Sequence, residues 1–218
     1  MTTLDPIYAT PLAARLITQV DSKLAEQLQL KPEQKSLGLL TADNDDATYV
    51  SIDEATKMAD VEVVYAKSFY AGAKHSSGLL SGEIIAMLAG PDPAEVRAGL
   101  NAALNYMKTE ALWYSANAND TIAFFPHVIS RTGTYLSKVC NIPLGSPIAY
   151  LIAPPLEGVY ALDAALKAAS VRIVSYTAPP SETNYMGVML TGEQADCRAA
   201  ASAFRETVLE VAQNPIKY

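Results

Sequence analysis

Few side chains in this sequence are of the kinds that do covalent chemistry. The two histidines, His75 and His127, stand far apart, and neither has partners at metal-ligand spacing. His75 lies in the Gly/Ser-rich run AGAKHSSG and reads as an exposed loop residue. His127 follows Phe124-Phe125-Pro126 and reads as a satisfied residue at a helix start. Cys140 is placed at a helix end and Cys197 on the final helix, each without a histidine nearby in sequence. Two cysteines are compatible with one disulfide, but no CxxC or framework spacing is present, and reduced cytosolic thiols are the simpler reading. GxSxG, GxGxxG and Walker sequences do not occur. No catalytic residue, metal-ligand set or cofactor site is therefore assigned, and a non-enzyme is expected.

What remains is binding chemistry. Asp45 and Asp46 fall in the polar turn ADNDDATY, where Asx side chains commonly bond their own backbone. Glu83 precedes an apolar strand and reads as a solvated strand end. Trp113, the only tryptophan, reads as a core or interface residue, and Ser181–Tyr185 reads as a loop behind Pro179-Pro180. The run Ser68–Ser81 mixes small residues with Phe69 and Tyr70, which are large enough to plug an opening. It reads either as a gate or as an ordinary exposed connection between strands.

Composition narrows the partners. Half of the 218 residues are apolar and only 18% are charged, which leaves apolar surface to hide in contacts. The net charge of −7 argues against a nucleic-acid partner, whose phosphates need a basic face, and suits a cationic ligand only weakly. The N-terminal residues lack the basic and apolar regions of a signal peptide, and no run of 18 apolar residues occurs. A soluble intracellular protein with no membrane span is expected.

The elements that must position these groups occur twice. Residues 51–68 align with 161–178 at an offset of 110, with Asp53, Ala55, Lys57, Ala59, Val61 and Val64 matching Asp163, Ala165, Lys167, Ala169, Val171 and Val174. Met87-Leu88-Ala89-Gly90 is answered by Met189-Leu190-Thr191-Gly192. Strands are predicted at 37–41, 61–66 and 83–89, and again at 148–153, 171–176 and 185–190. Short helices are predicted near 52–59 and 162–169. A longer helix follows Asp92 as N-cap, with Pro93 at its first position and Glu95 closing a capping box. Its counterpart takes Thr191 and Gln194 as cap residues and buries Phe204, Val208 and Val211. Leu12, Leu16, Val20, Leu24 and Leu28, at steps of four, predict a helix opening the first half, and 128–139 predicts its equivalent. The fold class is mixed α/β (α+β), with domains at 1–110 and 111–218. A repeat of this length is a duplicated domain rather than a solenoid unit.

The strings SLGLLTADNDDATYVSIDEATK (36–57), VEVVYAKSFYAGA (61–73), GPDPAEVRAGL (90–100), APPLEGVYALDAALK (153–167), PPSETNY (179–185) and NPIKY (214–218) resemble the tandem, circularly permuted bacterial-microcompartment (BMC) domain proteins of the EutL, ethanolamine-utilisation group. The resemblance covers nearly the whole chain. It implies two BMC domains, each a small sheet flanked by helices, and a trimeric pseudohexamer that packs with other shell proteins around the microcompartment lumen. It also implies a gated central pore and an ethanolamine site near the interface of the two domains. The positions carried over to that site are Asp45, Asp46, Glu83, Trp113, Thr183, Asn184 and Tyr185, with Phe69 and Tyr70 on the pore gate. An ammonium beside an exposed carboxylate gains only ~0–1 kcal/mol and a cation–π contact ~0.5–2 kcal/mol, so ligand binding is expected to be weak. The alternatives are a freestanding cytosolic amine sensor that uses the same fold, and a purely structural tile.

Overall fold

A computed structural model describes residues 4–69, 82–119, 121–179 and 185–218. In chain order its first elements are β1 (Pro6–Tyr8), β2 (Pro11–Ile17), α1 (Ser22–Gln27), β3 (Ser36–Ala42), α2 (Asp45–Met58), β4 (Glu62–Ser68), β5 (Ile84–Gly90) and α3 (Pro93–Thr109). There follow β6 (Leu112–Ser115), β7 (Ala123–Ile129), α4 (Thr134–Val139), β8 (Ile148–Ala153), α5 (Pro155–Ala168), β9 (Arg172–Thr177), β10 (Met186–Thr191) and α6 (Gln194–Gln213). The order strand, short helix, strand, helix, strand, strand, long helix occurs twice. Adding 112 to the bounds of β2 and α1 gives those of β7 and α4, and adding 110 to those of α2 gives α5.

The chain forms two compact units. One holds Tyr8–Ala111 together with the short segment Gly133–Leu136. Its antiparallel sheet has the order β2-β3-β5-β4, and α2 and α3 pack together beside it. The central strands β3 (SLGLLTA) and β5 (IIAMLAG) are mostly buried, which explains their nearly continuous apolar character. The Asp92 carboxylate accepts the N–H groups of Ala94 and Glu95 at 2.7 and 3.0 Å and starts α3, with Pro93 at the first helical position. The Glu95 carboxylate accepts from the Asp60 N–H at 2.7 Å, which ties the helix start to the turn before β4.

The other unit holds Leu112–Thr132, Ser137–Tyr218 and the described residues up to Ile7. Its sheet has the order β1-β6-β7-β8-β10-β9. Every residue of β8 is buried, and Phe124, Leu151, Leu190, Phe204 and Val208 share one core with α5 and α6.

The predicted strands from β3 onward are found, and the predicted opening helix is not. Residues 11–17 are strand β2, paired antiparallel with β3, and only Ser22–Gln27 is helical. A step of four is two strand repeats as well as about one helical turn, so Leu12 and Leu16 satisfy both periods. The free edge of β3 decides between them. Val20 and Leu28 still join the apolar cluster around Leu37 and Ala89. Likewise 123–129 is strand β7, and α4 takes only the end of the helix predicted there. The cap prediction for α6 also fails. Its N-cap is Glu193, without a side-chain cap bond, while Thr191 Oγ1 donates to the Pro147 carbonyl and Gln194 Nε2 to Ser130 Oγ.

Candidate functional site

The first unit gathers acidic side chains where β3 runs into α2. Asn44 is the N-cap of α2 and accepts the Ala47 N–H at 2.8 Å, so Asp45 and Asp46 occupy the first helical turn rather than a free turn. Carboxylates there face the positive end of the helix dipole. One residue earlier, the Asp43 carboxylate accepts the Thr10 N–H at 2.6 Å, and the Asp43 N–H donates back to the Thr10 carbonyl. Glu83 stands just before β5, the strand paired with β3. The Ala42↔Ile84 pair aligns β3 with β5, and the Glu83 N–H donates to the Ala42 carbonyl at 2.8 Å. Gly82 makes this approach possible. Its φ is +62°, and a Cβ there would drive into the Ala42 carbonyl.

The electrostatics follow from this crowding. Desolvation raises the Glu83 carboxyl above its ordinary 4.5, and the negative charges of Asp45 and Asp43 raise it further. Glu83 is solvent-exposed as a residue, so water moderates the effect. Burial raises the Asp45 carboxyl above 3.8, and its hydrogen bonds, including those to the Asp46 N–H and Ser68, oppose the rise. Burial also pushes the Tyr49 phenol up. Its oxygen accepts the Ser68 N–H at 3.2 Å. Among the described residues, no lysine or arginine forms an ion pair with Asp45 or Glu83. Phe69, 37% exposed, donates its N–H to the Glu83 backbone carbonyl at 2.8 Å, so the start of the predicted gate loop is tied to the backbone that carries Glu83.

The second unit holds the aromatic candidates. Trp113 of β6 is 7% exposed, stacks on Phe125 at 5.4 Å and meets Tyr185 edge-on at 5.6 Å. Phe125 and His127 alternate along β7, share one of its faces and stack at 5.0 Å. His127 is therefore a strand residue in an aromatic row, not a helix start. Tyr185 is half-buried, and burial together with the Glu157 charge raises its phenol. Cys140 and Cys197 are both buried and form no disulfide, with Cys140 Sγ 3.2 Å from Met189 Sδ.

The structure thus brings Asp45, Asp46 and Glu83 together in one unit, and Trp113 and Tyr185 together in the other. Thr183, Asn184, Tyr70 and His75 lie outside the described residues. Sequence reasoning missed Asp43, whose signal was its place in the same acidic run, Asp43-Asn44-Asp45-Asp46. Among the described residues, no group of three or more His, Cys, Asp and Glu side chains is placed to hold a metal ion.

Comparison with known proteins agrees with this doubled architecture. Residues 36–119 and 153–216 match the BMC domain. The chain belongs to the BMC-domain family, in its EutL branch. It is 52% identical to the bacterial microcompartment shell protein EutL of Clostridium perfringens strain 13, over 98% of this chain and 99% of that one. The crystal structure of the ethanolamine utilisation protein EutL from Leptotrichia buccalis superposes with a TM-score of 0.94 at 56% identity, covering both chains completely. A trimeric bacterial microcompartment shell protein, PduB, shares the fold at a TM-score of 0.75 and 22% identity, over 94% of this chain and 89% of that one. The two BMC domains carry the mixed α/β fold in both halves, and the acidic group sits at one β3–α2 junction rather than being repeated. The corresponding second-half junction reads Ala-Pro-Pro-Leu at 153–156, with no carboxylate.

Proposed function

We propose that three copies of this shell protein form a flat pseudohexagonal tile of an ethanolamine-utilisation microcompartment, with a gated pore on the threefold axis, and that the chain binds ethanolamine without transforming it. Two BMC domains per chain supply six quasi-equivalent wedges from three chains. The names of the EutL relatives and the trimeric state of the PduB relative support the reading.

The observation that carries the ligand is the acidic group. Burial raises the Glu83 carboxyl at the end of β3 above its ordinary 4.5, and repulsion by the charges of Asp45 and Asp43 raises it further. A small ammonium seated there relieves that repulsion, and its hydroxyl needs only hydrogen-bonding neighbours. Asp46 adds charge in the same helical turn. Trp113, Thr183, Asn184 and Tyr185 are proposed to take part in recognition, and Phe69 and Tyr70 to gate the pore. The bond from the Phe69 N–H to the Glu83 carbonyl gives the gate a route to sense the ligand. Ligand shifts the gate only through different affinities for its two states.

Titration calorimetry with ethanolamine tests the reading. Saturable heat is expected for the parent, and its loss in Glu83→Ala and in the double change Asp45→Ala, Asp46→Ala, with the trimer retained. Unchanged affinity in both variants would sink the site. Electron microscopy tests the tile, with extended hexagonal sheets the expected result.

A further inference from the structure

Asp45 has two hydroxyl-bearing neighbours, and both lie outside the acidic run that marks it in the sequence. Tyr49 follows it by four residues, one turn along α2. Ser68 closes β4 opposite Ile84 of β5, the residue that follows Glu83. Phe69, next in the chain, donates its N–H to the Glu83 backbone carbonyl at 2.8 Å. Ser68 is therefore held between Asp45 and the backbone that carries Glu83.

The hydrogen bonds among the three side chains have one consistent assignment. The Ser68 side chain bonds both the Asp45 carboxylate and the Tyr49 phenol. An ionised carboxylate can only accept, so the Ser68 hydroxyl gives its single hydrogen to Asp45. The Tyr49 O–H then donates to Ser68 Oγ, while the Tyr49 oxygen accepts the Ser68 N–H at 3.2 Å. The Asp46 N–H donates to Asp45 Oδ1 at 2.9 Å. The Tyr49 ring stacks on Tyr135 at 6.1 Å, which limits its swing.

The second half of the chain shows that the fold does not need these bonds. At the offset of 110 that aligns α2 with α5, Asp45, Tyr49 and Ser68 become Pro155, Val159 and Ala178. All three polar groups are replaced together, and neither link can form. Helix α5 and strand β9 fold without them. A set that is complete in one BMC domain and missing from the other serves something besides the fold the two domains share.

We propose that Ser68 and Tyr49 are positioning residues for Asp45. A two-link relay, Tyr49 O–H to Ser68 Oγ and Ser68 O–H to the carboxylate, holds Asp45 in place as the anion that an ammonium needs. The relay works against its surroundings. Burial favours the protonated acid, and the charges gathered with it, those of Asp46, Asp43 and Glu83, are negative. Hydrogen bonds donated to the charged form offset that preference, and the one from Ser68 comes from a side chain that the second domain lacks. The consequence for the ligand rests on the ethanolamine site proposed above; the relay itself does not.

Carboxyl-carbon NMR of the full chain, with the Asp45 signal assigned by its loss in Asp45→Asn, reads the relay without ligand. Ser68→Ala is expected to move the Asp45 midpoint to higher pH, and Tyr49→Phe to move it the same way by less. Ser68→Thr, which keeps the hydroxyl, should return it toward the parent's. Titration calorimetry then reads the ligand. Ethanolamine affinity at neutral pH should fall about three- to tenfold in Ser68→Ala, the worth of one hydrogen bond. The loss of binding on acidification should begin at higher pH than in the parent. An Asp45 midpoint unmoved in both Ser68→Ala and Tyr49→Phe overturns the relay, whatever the ligand does. A midpoint that moves while ethanolamine affinity stays at the parent's value overturns the relay's part in binding. A midpoint that moves in a protein whose parent form shows no saturable ethanolamine binding upholds the relay and overturns the ligand site.

Discussion

Gly133 donates its backbone N–H to Asp53 Oδ2 at 2.7 Å, across 80 residues of chain. With the Leu136 N–H on the other oxygen, it satisfies a carboxylate that no solvent reaches. Burial raises the Asp53 carboxyl above its ordinary 3.8, and these two N–H groups, followed by Lys57, oppose the rise. Lys57 stands 4.0 Å away and also pairs with Glu54. One side chain thus holds a stretch of backbone in place through that stretch's own N–H groups.

Asp53→Ala should be costly for that reason. It leaves two N–H groups without their acceptor, each worth about 1–3 kcal/mol when buried, so a loss of about 2–6 kcal/mol is expected. Asp163→Ala removes the matching residue of the second half, an exposed i,i+4 partner of Lys167, and should cost under about 0.5 kcal/mol. Urea unfolding at one fixed protein concentration compares them. Equal effects would contradict this account of Asp53.

Gly133→Ala tests the same contact from the other side. The added methyl meets the Asp53 carbonyl oxygen, which belongs to the α2 backbone and cannot turn aside. A loss of about 1–3 kcal/mol is expected. Adding Thr56→Ala should not restore it, because the backbone contact remains. Rescue by that second change would show that the hydroxyl alone crowds the site.

The pairing of Asp53 with Asp163 shows how far the sequence could be read. Their match, with Lys57 and Lys167 one turn on, revealed the duplication and placed α2 and α5. It did not reveal that one aspartate is sealed and the other exposed, since the covering residues lie 80 positions away. Strands β3, β4, β5, β8, β9 and β10 were legible because β-branched and apolar runs bounded by turn residues have few other uses, whereas β7 was taken in part for a helix. The region 11–28 was not, because its four-step spacing fits a strand as well as a helix. Asp45 and Asp46 were visible as an acidic run. Their proximity to Glu83 depends on the register of β3 against β5, which local pattern does not encode.

Gly82→Ala should unseat that proximity. A non-glycine residue at φ +62° is disfavoured by about 1 kcal/mol, and the Cβ also collides with the Ala42 carbonyl. The bond from the Glu83 N–H to that carbonyl is lost with it. Calorimetry should then show ethanolamine affinity reduced as far as in Glu83→Ala, although every acidic side chain is still present. Full affinity in Gly82→Ala would separate Glu83 from the ligand.

The raised carboxyls of Asp45 and Glu83 give a pH dependence of definite sign. Both hold their protons more tightly folded than unfolded. Their contribution to stability is therefore fully present below the unfolded values and is lost as pH rises through the folded ones. At neutral pH the ionised pair works against the fold, so Glu83→Gln should melt higher than the parent there, with the difference vanishing on acidification. Ligand binding runs the other way. An ammonium needs the ionised forms, so ethanolamine affinity should fall on acidification at a pH above the ordinary 3.8 and 4.5 of these groups. Melting curves of the two proteins against pH, with calorimetry on the parent, check both signs. A Glu83→Gln variant that melts lower than the parent at neutral pH would show that Glu83 is held by attraction, and the crowding of like charges would no longer account for a cation at this site.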